Sequence, residues 1–458
     1  MLWHFYHLLV KLKEDNLYLR LVQRFLPSPF SIAVILTVVT FTVAWVLTDS
    51  KDGSTPYAIQ LVEFWEKGFW ELLSFSMQMV LILVLGHTLA LSTVADRFLS
   101  ILTKYCNSTA SAAAIISLLS ISISFINWGL CLIIGAVFAR KVGEYAKKNG
   151  LSMNYPLLGA AGYSGLMTWH GGFSGSAPLK VAEANHFLVG TIGQISISET
   201  VVSPMNLTAW ALLVTLVPLL FYYLGRKSTP TDLPIQSTAT AAHISKDVVG
   251  AEKLDHSKVL AYVLGGVITL FSVYKVLVSD QTGLSFINLN YINFLLFGLC
   301  LLAHGSIHAF LMAISQAVVG STGIIIQFPL YAGIMGIMKY SGLVLIFSDF
   351  FIQISSPTTF PVFTLISAAI VNTFVPSGGG QWAVQGPIVC NAALELGVSV
   401  NKTIMALSYG DQLTNMLQPF WALPLLGITN LKAKDILPYS FLVMMVGLLI
   451  FIGVLLVF

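Results

Sequence analysis

Phe374-Val375-Pro376-Ser377-Gly378-Gly379-Gly380-Gln381 stands between two apolar arms, and its reading decides the fold. Proline and three successive glycines are poor helix formers, so an unbroken helix cannot run through it. Its surroundings are too apolar for an ordinary surface loop. Hydrophobic residues fill 56% of the 458 positions and charged residues only 9%, whereas a soluble globular domain is about 25% charged. Such a chain lacks the polar surface to face water on all sides, which excludes a soluble enzyme. The runs 31–48, 72–94, 207–224, 260–278 and 439–458 are apolar, and roughly 20 such residues cross a bilayer as helix. They do not alternate as the strands of a membrane β-barrel would. The expected fold class is therefore an all-α integral membrane protein. Within a bilayer, unwound backbone is tolerated only where it is buried in protein or lines a cavity. Glycines at 378–380 would let backbone amides at a helix start approach a carboxylate closely.

Working outward, a second break lies 249 residues earlier, at Phe125-Ile126-Asn127-Trp128-Gly129. Gap-free pairing of 78–129 with 327–378 matches only eight of 52 positions, little more than apolar composition supplies. The order of interruptions carries the repeat instead. In each copy a span leads to a short amphipathic stretch, an apolar arm, the polar break and a second arm. A further span follows with its own break, Tyr163-Ser164-Gly165-Leu166-Met167-Thr168-Trp169-His170-Gly171-Gly172 in one copy. The other reads Tyr409-Gly410-Asp411-Gln412-Leu413-Thr414-Asn415-Met416. This predicts an N-terminal half, 1–225, with a re-entrant hairpin at about 107–148 and a broken helix at 155–180. It predicts a C-terminal half, 259–458, with a hairpin at about 357–396 and a broken helix at 403–428. Glycine-interrupted helices at matching places in two halves are the best sequence pointer to a transport site. The polar stretch 226–258 reads as a cytoplasmic linker, with a regulatory segment as the other reading.

Charge distribution sets the orientation. With a cytoplasmic N-terminus, full spans fall near 30–49, 72–94, 155–180, 201–224, 259–278, 289–303, 322–340, 403–428 and 438–457. Of the 23 Lys and Arg residues, 17 then face the cytoplasm, and the first outer loop is acidic, with Asp49, Asp52, Glu63, Glu66 and Glu71. The positive-inside rule favours this arrangement, in which the C-terminus is periplasmic. The first hairpin enters from the cytoplasm and the second from outside, so the halves are inverted repeats. Were the first hairpin an ordinary span, the Arg140–Lys148 cluster would move outside. The first 25 residues show no cleavable signal and read as a surface-lying amphipathic helix. Cys106, Cys131, Cys300 and Cys390 lack CxxC spacing and read as buried free thiols. The +3 net charge says little about partners, and nothing points to nucleic acid.

Candidate site residues cluster at the breaks. Asp411 is the one acid inside them; it can ligate a cation, accept a coupling proton or brace the backbone. His170, beside Gly171-Gly172, can titrate or serve as a structural hydrogen-bonder. Asn127, Thr168, Ser377, Thr414 and Asn415 offer neutral oxygens that suit a hard cation, but the same residue types cap helices. Gly129, Gly378, Gly379, Gly380 and Gln381 complete the tips as candidate substrate contacts. No Lys or Arg lies within the breaks, so a carboxylate would meet backbone amides there. Trp128, Trp169, Trp382 and Trp421 can line a short acyl pocket or simply pack. There is no G-x-S-x-G elbow, H-E-x-x-H pair or phosphate-binding glycine loop; Gly162-Tyr163-Ser164-Gly165 falls one position short of the elbow. A carrier is favoured over a membrane-embedded enzyme. A cation–proton antiporter is the nearer rival, although exchangers usually use several intramembrane acids. No cofactor is expected beyond Na+ or H+ as coupling ion.

The stretch Asn372-Thr-Phe-Val-Pro-Ser-Gly-Gly-Gly-Gln-Trp-Ala-Val-Gln-Gly-Pro387 resembles the signature of the bacterial short-chain fatty acid transporter family. Asn127-Trp-Gly, Thr168-Trp-His-Gly-Gly172 and Ser408-Tyr-Gly-Asp-Gln-Leu-Thr-Asn415 fit the same family, and the resemblance spans the chain. It implies uptake of small monocarboxylates such as acetoacetate and butyrate across the inner membrane, by cation or proton symport. The wider ion-transporter superfamily, which includes sodium–dicarboxylate carriers, implies elevator-like alternating access and, by analogy, a homodimer. Those carriers use Ser-Asn-Thr tips. Here the tips are Asn127-Trp128-Gly129 and Ser377-Gly378-Gly379, which leaves the coupling ion open.

Overall fold

A computed structural model describes residues 29–50, 55–231, 250–278, 286–374 and 377–458. The expected N-terminal surface helix, most of the linker and Val375-Pro376 of the glycine-rich tip lie outside the described residues. Every regular element among the described residues is helical. Five helices are long and apolar enough to cross a membrane: Leu73–Ala90, Thr109–Ile126, Pro204–Lys227, Lys258–Val278 and Ala433–Val457. Ile307–Ser321 and Ile325–Ser341, bent by 44°, make a sixth if taken together. Lys258–Val278 leaves Val259, Val263, Val267, Leu270 and Leu277 exposed, an apolar face suited to lipid rather than water. Of the nine expected spans, 30–49 and 289–303 are short apolar helices, 322–340 belongs to the bent pair, and 155–180 and 403–428 are interrupted.

From the hairpins onward the element order runs twice. Thr109–Ile126 and Trp128–Lys148 meet at Asn127, as Phe360–Phe374 and Gly378–Glu395 flank Ser377. After each pair comes a helix that tightens into a 3-10 turn. Tyr155–Tyr163 leads into Ser164–Met167, and Val400–Thr414 into Asn415–Leu417. Each chain path resumes as a shorter helix, Ser176–Lys180 or Pro419–Thr429, and ends in a long span, Pro204–Lys227 or Ala433–Val457. Caps set these starts: Ser108, Asn127, Asn154, Ser203, Ser377 and Ser399 each accept a backbone amide in the first turn. That is how small polar side chains satisfy amides left over at a helix start.

Both interruptions lie later than the sequence motifs suggest. The second helix stays α-helical through Gly410 to Thr414 and opens only at 415–418. Gly410 is there for packing, since a Cβ on it would run into the Leu365 carbonyl. Pro419, which has no N–H and disfavours helix at the residue before it, fixes the break. In the first half the α-helix runs through Tyr163, and the non-helical stretch extends to Gly175.

The halves interlock. Pro419–Thr429 rests on Trp128–Lys148 of the first hairpin, and Ser176–Lys180 rests on Gly378–Glu395 of the second. Arg140 donates to the Ile428 carbonyl at 3.1 Å and the Tyr155 hydroxyl to that of Thr429 at 3.1 Å, so first-half side chains hold the end of the second broken helix. The first hairpin sits tightly on its own broken helix through Gly135 and Gly162, where a Cβ on either would meet the backbone of the other.

Candidate functional site

The two interruptions meet inside the bundle. The Tyr163 hydroxyl donates to the carbonyls of Asn415 at 2.6 Å and Gln418 at 3.0 Å. Where the first helix stops, its chain leaves amides without helical acceptors. Gln412 of the second half takes two of them, accepting from the His170 and Gly171 amides at 2.9 and 3.2 Å.

His170 and Asp411 are wholly buried, with Nδ1 and Oδ2 2.6 Å apart. The Ala177 amide donates to His170 Nε2 at 3.1 Å. A ring nitrogen that accepts carries no proton, so the proton of the neutral ring sits on Nδ1 and is donated to Asp411. Trp169 stacks on the imidazole with ring centres 4.5 Å apart. The second carboxylate oxygen, Oδ1, is buried and has no hydrogen-bond partner among the described residues. Next to the pair, Asn372 gathers the break: its Nδ2 donates to the Asp411 carbonyl, Thr414 Oγ1 and Asn415 Oδ1 at 2.6, 3.0 and 2.8 Å. Gln418 donates to the Asn372 carbonyl at 2.7 Å.

At the second tip, Ser377 caps the helix by accepting from the Gly380 amide at 3.2 Å. The three glycines are the price of close packing. A Cβ at 378 would meet Trp169 and His170, at 379 Phe328 and Phe75, and at 380 Tyr331. Ser377, Gly378 and Gly379 border a narrow cleft with Met79, Trp128, Trp169, Ser176, Gly320, Gly323, Gln327, Phe328 and Trp421. Trp128 stands 5.8 Å from Trp169 and 5.4 Å from Trp421, centre to centre. Both tips and both interrupted helices thus contribute to one aromatic cleft.

The remaining sequence candidates lie around it. Gln381 turns inward to the Ala368 carbonyl and Gln385, each at 2.9 Å. Asn127 is buried as a cap, accepting from the Leu130 amide at 2.7 Å and donating to the Ile82 carbonyl at 3.3 Å. Gly129 packs on the Leu83 backbone. Thr168 donates to the carbonyls of Ile121 and Gly165. Of the four tryptophans, Trp382 is fully buried against Phe187 and away from the cleft.

Several residues escaped the sequence reading. Asn372 and Gln412 stood within the quoted motifs as polar groups on apolar helices, a signal that was available. Asn206, which donates to the Gly171 carbonyl at 2.7 Å and accepts from the Tyr409 hydroxyl at 3.0 Å, gave none. Asp411 is the one acid within the quoted breaks, but buried charge also lies just beyond the first of them. Lys180 and Glu183, just past the first interruption, are 7% and 5% exposed and form an ion pair at 2.6 Å. Lys180 looked like the outer end of a span, but the interruption folds the chain back into the protein.

Interrupted helices and hairpin tips gathered at one buried place, in a bundle of apolar helices, define a multi-pass membrane protein of the transporter class. The chain belongs to the Short chain fatty acid transporter family, whose sequence profile matches residues 12–458. It is 36% identical over 438 residues to an Escherichia coli K12 protein named "Putative short-chain fatty acid transporter", covering 94% of this chain and 96% of that one. A Haemophilus influenzae protein of the same name is 38% identical over 431 residues, covering 91% and 93%. The fold is shared with the Alcanivorax borkumensis YdaH transporter at a TM-score of 0.57 and 14% identity, covering 94% of this chain and 98% of that chain. Neisseria gonorrhoeae MtrF, described among a class of antimetabolite efflux pumps, matches at a TM-score of 0.55 and 15% identity, covering 93% and 95%.

Proposed function

We propose that this protein is a secondary active carrier that takes up short-chain monocarboxylates, such as butyrate or acetoacetate, across the bacterial inner membrane. No catalytic step is involved, and uptake is coupled to Na+ or H+. The observation that carries this reading is the aromatic cleft ending on the first turn of Gly378–Glu395. Indole faces suit a short acyl chain, and the amides of Gly378 and Gly379, which the helix start leaves without intrahelical acceptors, suit a carboxylate. Asp411 supports the coupling part, because its buried Oδ1, without a hydrogen-bond partner among the described residues, is an acceptor for a proton or cation. Thr414 and Asn415 offer oxygens nearby. The doubled element order supports inverted repeats working by an elevator-like movement.

Efflux is the second reading, favoured by the fold shared with MtrF. Proteoliposomes loaded with unlabelled butyrate and given labelled butyrate outside distinguish these readings. A carrier shows counterflow, and imposed Na+ and H+ gradients then reveal the coupling ion and direction. Butyrate-independent exchange of Na+ for H+ would make the protein an antiporter, and chemical conversion of the label would make it an enzyme.

A further inference from the structure

Behind the cleft lies a charged cluster with no part in the pairing of His170 with Asp411. Lys180 Nζ is 2.6 Å from Glu183 Oε2, and Gln78 Nε2 donates to Glu183 Oε1 at 2.7 Å and to Asn290 Oδ1 at 2.9 Å. Burying two charges in an apolar bundle is unfavourable, and ionisable residues inside membrane proteins mark functional sites by default. Resting on the carrier reading above, we propose that Lys180 is the counter-charge for the substrate carboxylate, held in readiness by Glu183 until the acid enters.

Three features of the geometry lead there. Lys180 lies four residues after Ser176, on the same helix face, and Ser176 lines the cleft. The ammonium sits 5.1 Å from the centre of the Phe75 ring. Phe75 in turn meets Phe328 edge-on at 5.5 Å and closes on Gly379, both lining the cleft. Phe75 thus touches both the ammonium and the wall of the cleft, and the proposal requires that ring to turn aside as the acid enters.

Second, the ammonium is under-coordinated. It has three donor positions, yet among the described residues Glu183 is its only hydrogen-bond acceptor, with the Phe75 face beside it. Third, Glu183 is not stranded when Lys180 turns away, because Gln78 still donates to it. The cluster is built to exchange one carboxylate for another. One cation admits one carboxylate, so dicarboxylates are disfavoured. The incoming acid adds a net negative charge, so a co-bound cation must accompany it.

Binding of labelled butyrate to the purified full chain in detergent tests this. Glu183→Gln removes the internal competitor and should tighten butyrate binding roughly tenfold. The double variant Lys180→Gln/Glu183→Gln leaves no unpaired charge, so it keeps its fold by thermal unfolding and should weaken binding roughly a hundredfold. A merely structural ion pair would not shift affinity in opposite directions. A folded double variant that binds butyrate like wild type overturns the proposal, even if Glu183→Gln alone fails to fold. Folded wild type that binds no butyrate removes the carrier reading and this assignment with it, a failure visible before any variant is made.

Discussion

At Asp411 one carboxylate oxygen is engaged and the other is not. Oδ2 accepts a hydrogen bond from His170, while Oδ1 is buried with no hydrogen-bond partner among the described residues. Asp411→Asn keeps an acceptor for His170 and the side-chain shape but removes the charge. The variant should stay folded, losing less than about 1.5 kcal/mol, while gradient-driven accumulation falls at least tenfold, by roughly the effect of losing one charge-assisted contact. Uptake assays alongside thermal unfolding check this, and wild-type accumulation would reduce Asp411 to a brace. Asn372 is the opposite case, a residue that holds rather than couples. Its one amide group bridges three oxygens in a fully buried setting. Asn372→Ala leaves those acceptors short of a donor and should destabilise by about 1–3 kcal/mol, read as a lower unfolding temperature. Gly379→Ala is a less selective probe than the motif suggests, because its Cβ would push on Phe328 and Phe75. It should lower both stability and affinity.

Close backbone contact positions the elements. Small residues let membrane helices approach, and Gly135 against Gly162 seats the first hairpin on its broken helix. Gly162→Ala places a methyl group against the Gly135 carbonyl, where no side chain can yield. Destabilisation at or above the usual value of about 1–3 kcal/mol for overpacking is expected, together with loss of transport, whereas the half-buried Gly266→Ala, whose Cβ meets nothing within 4 Å, should behave as wild type. Much of this architecture was legible beforehand. The polar breaks at 125–129 and 374–381 stand out because polar and helix-breaking residues fall together there between apolar arms, although the glycines at 378–380 also serve close packing. Their partners did not stand out. His170 and Asp411 are 241 residues apart, and no local pattern announces a contact of that kind. Gly410 looked like part of a break but serves packing. Lys180 stood at the outer end of the expected span 155–180, because local sequence does not show where an interrupted chain turns back.

The whole molecule depends on both halves at once, since each broken helix ends on the other half's hairpin. The inverted arrangement proposed for them makes a direct prediction. Once the buried native cysteines are replaced, Lys147→Cys should react with an impermeant thiol reagent only from the cytoplasmic side. Lys402→Cys should react only from outside. Labelling of both from one face would overturn the inversion. The aromatic cleft has a different kind of consequence. Three of the nine tryptophans border it, Trp128 within 5.8 Å of both Trp169 and Trp421 and tilted against them by 55° and 86°. Indoles so close and so crossed share their electronic transitions, and displacement of water from among them alters emission colour and near-ultraviolet ellipticity together. The molecule is its own optical gauge: filling the cleft should be readable from unlabelled protein, in a cuvette, without following anything across a membrane.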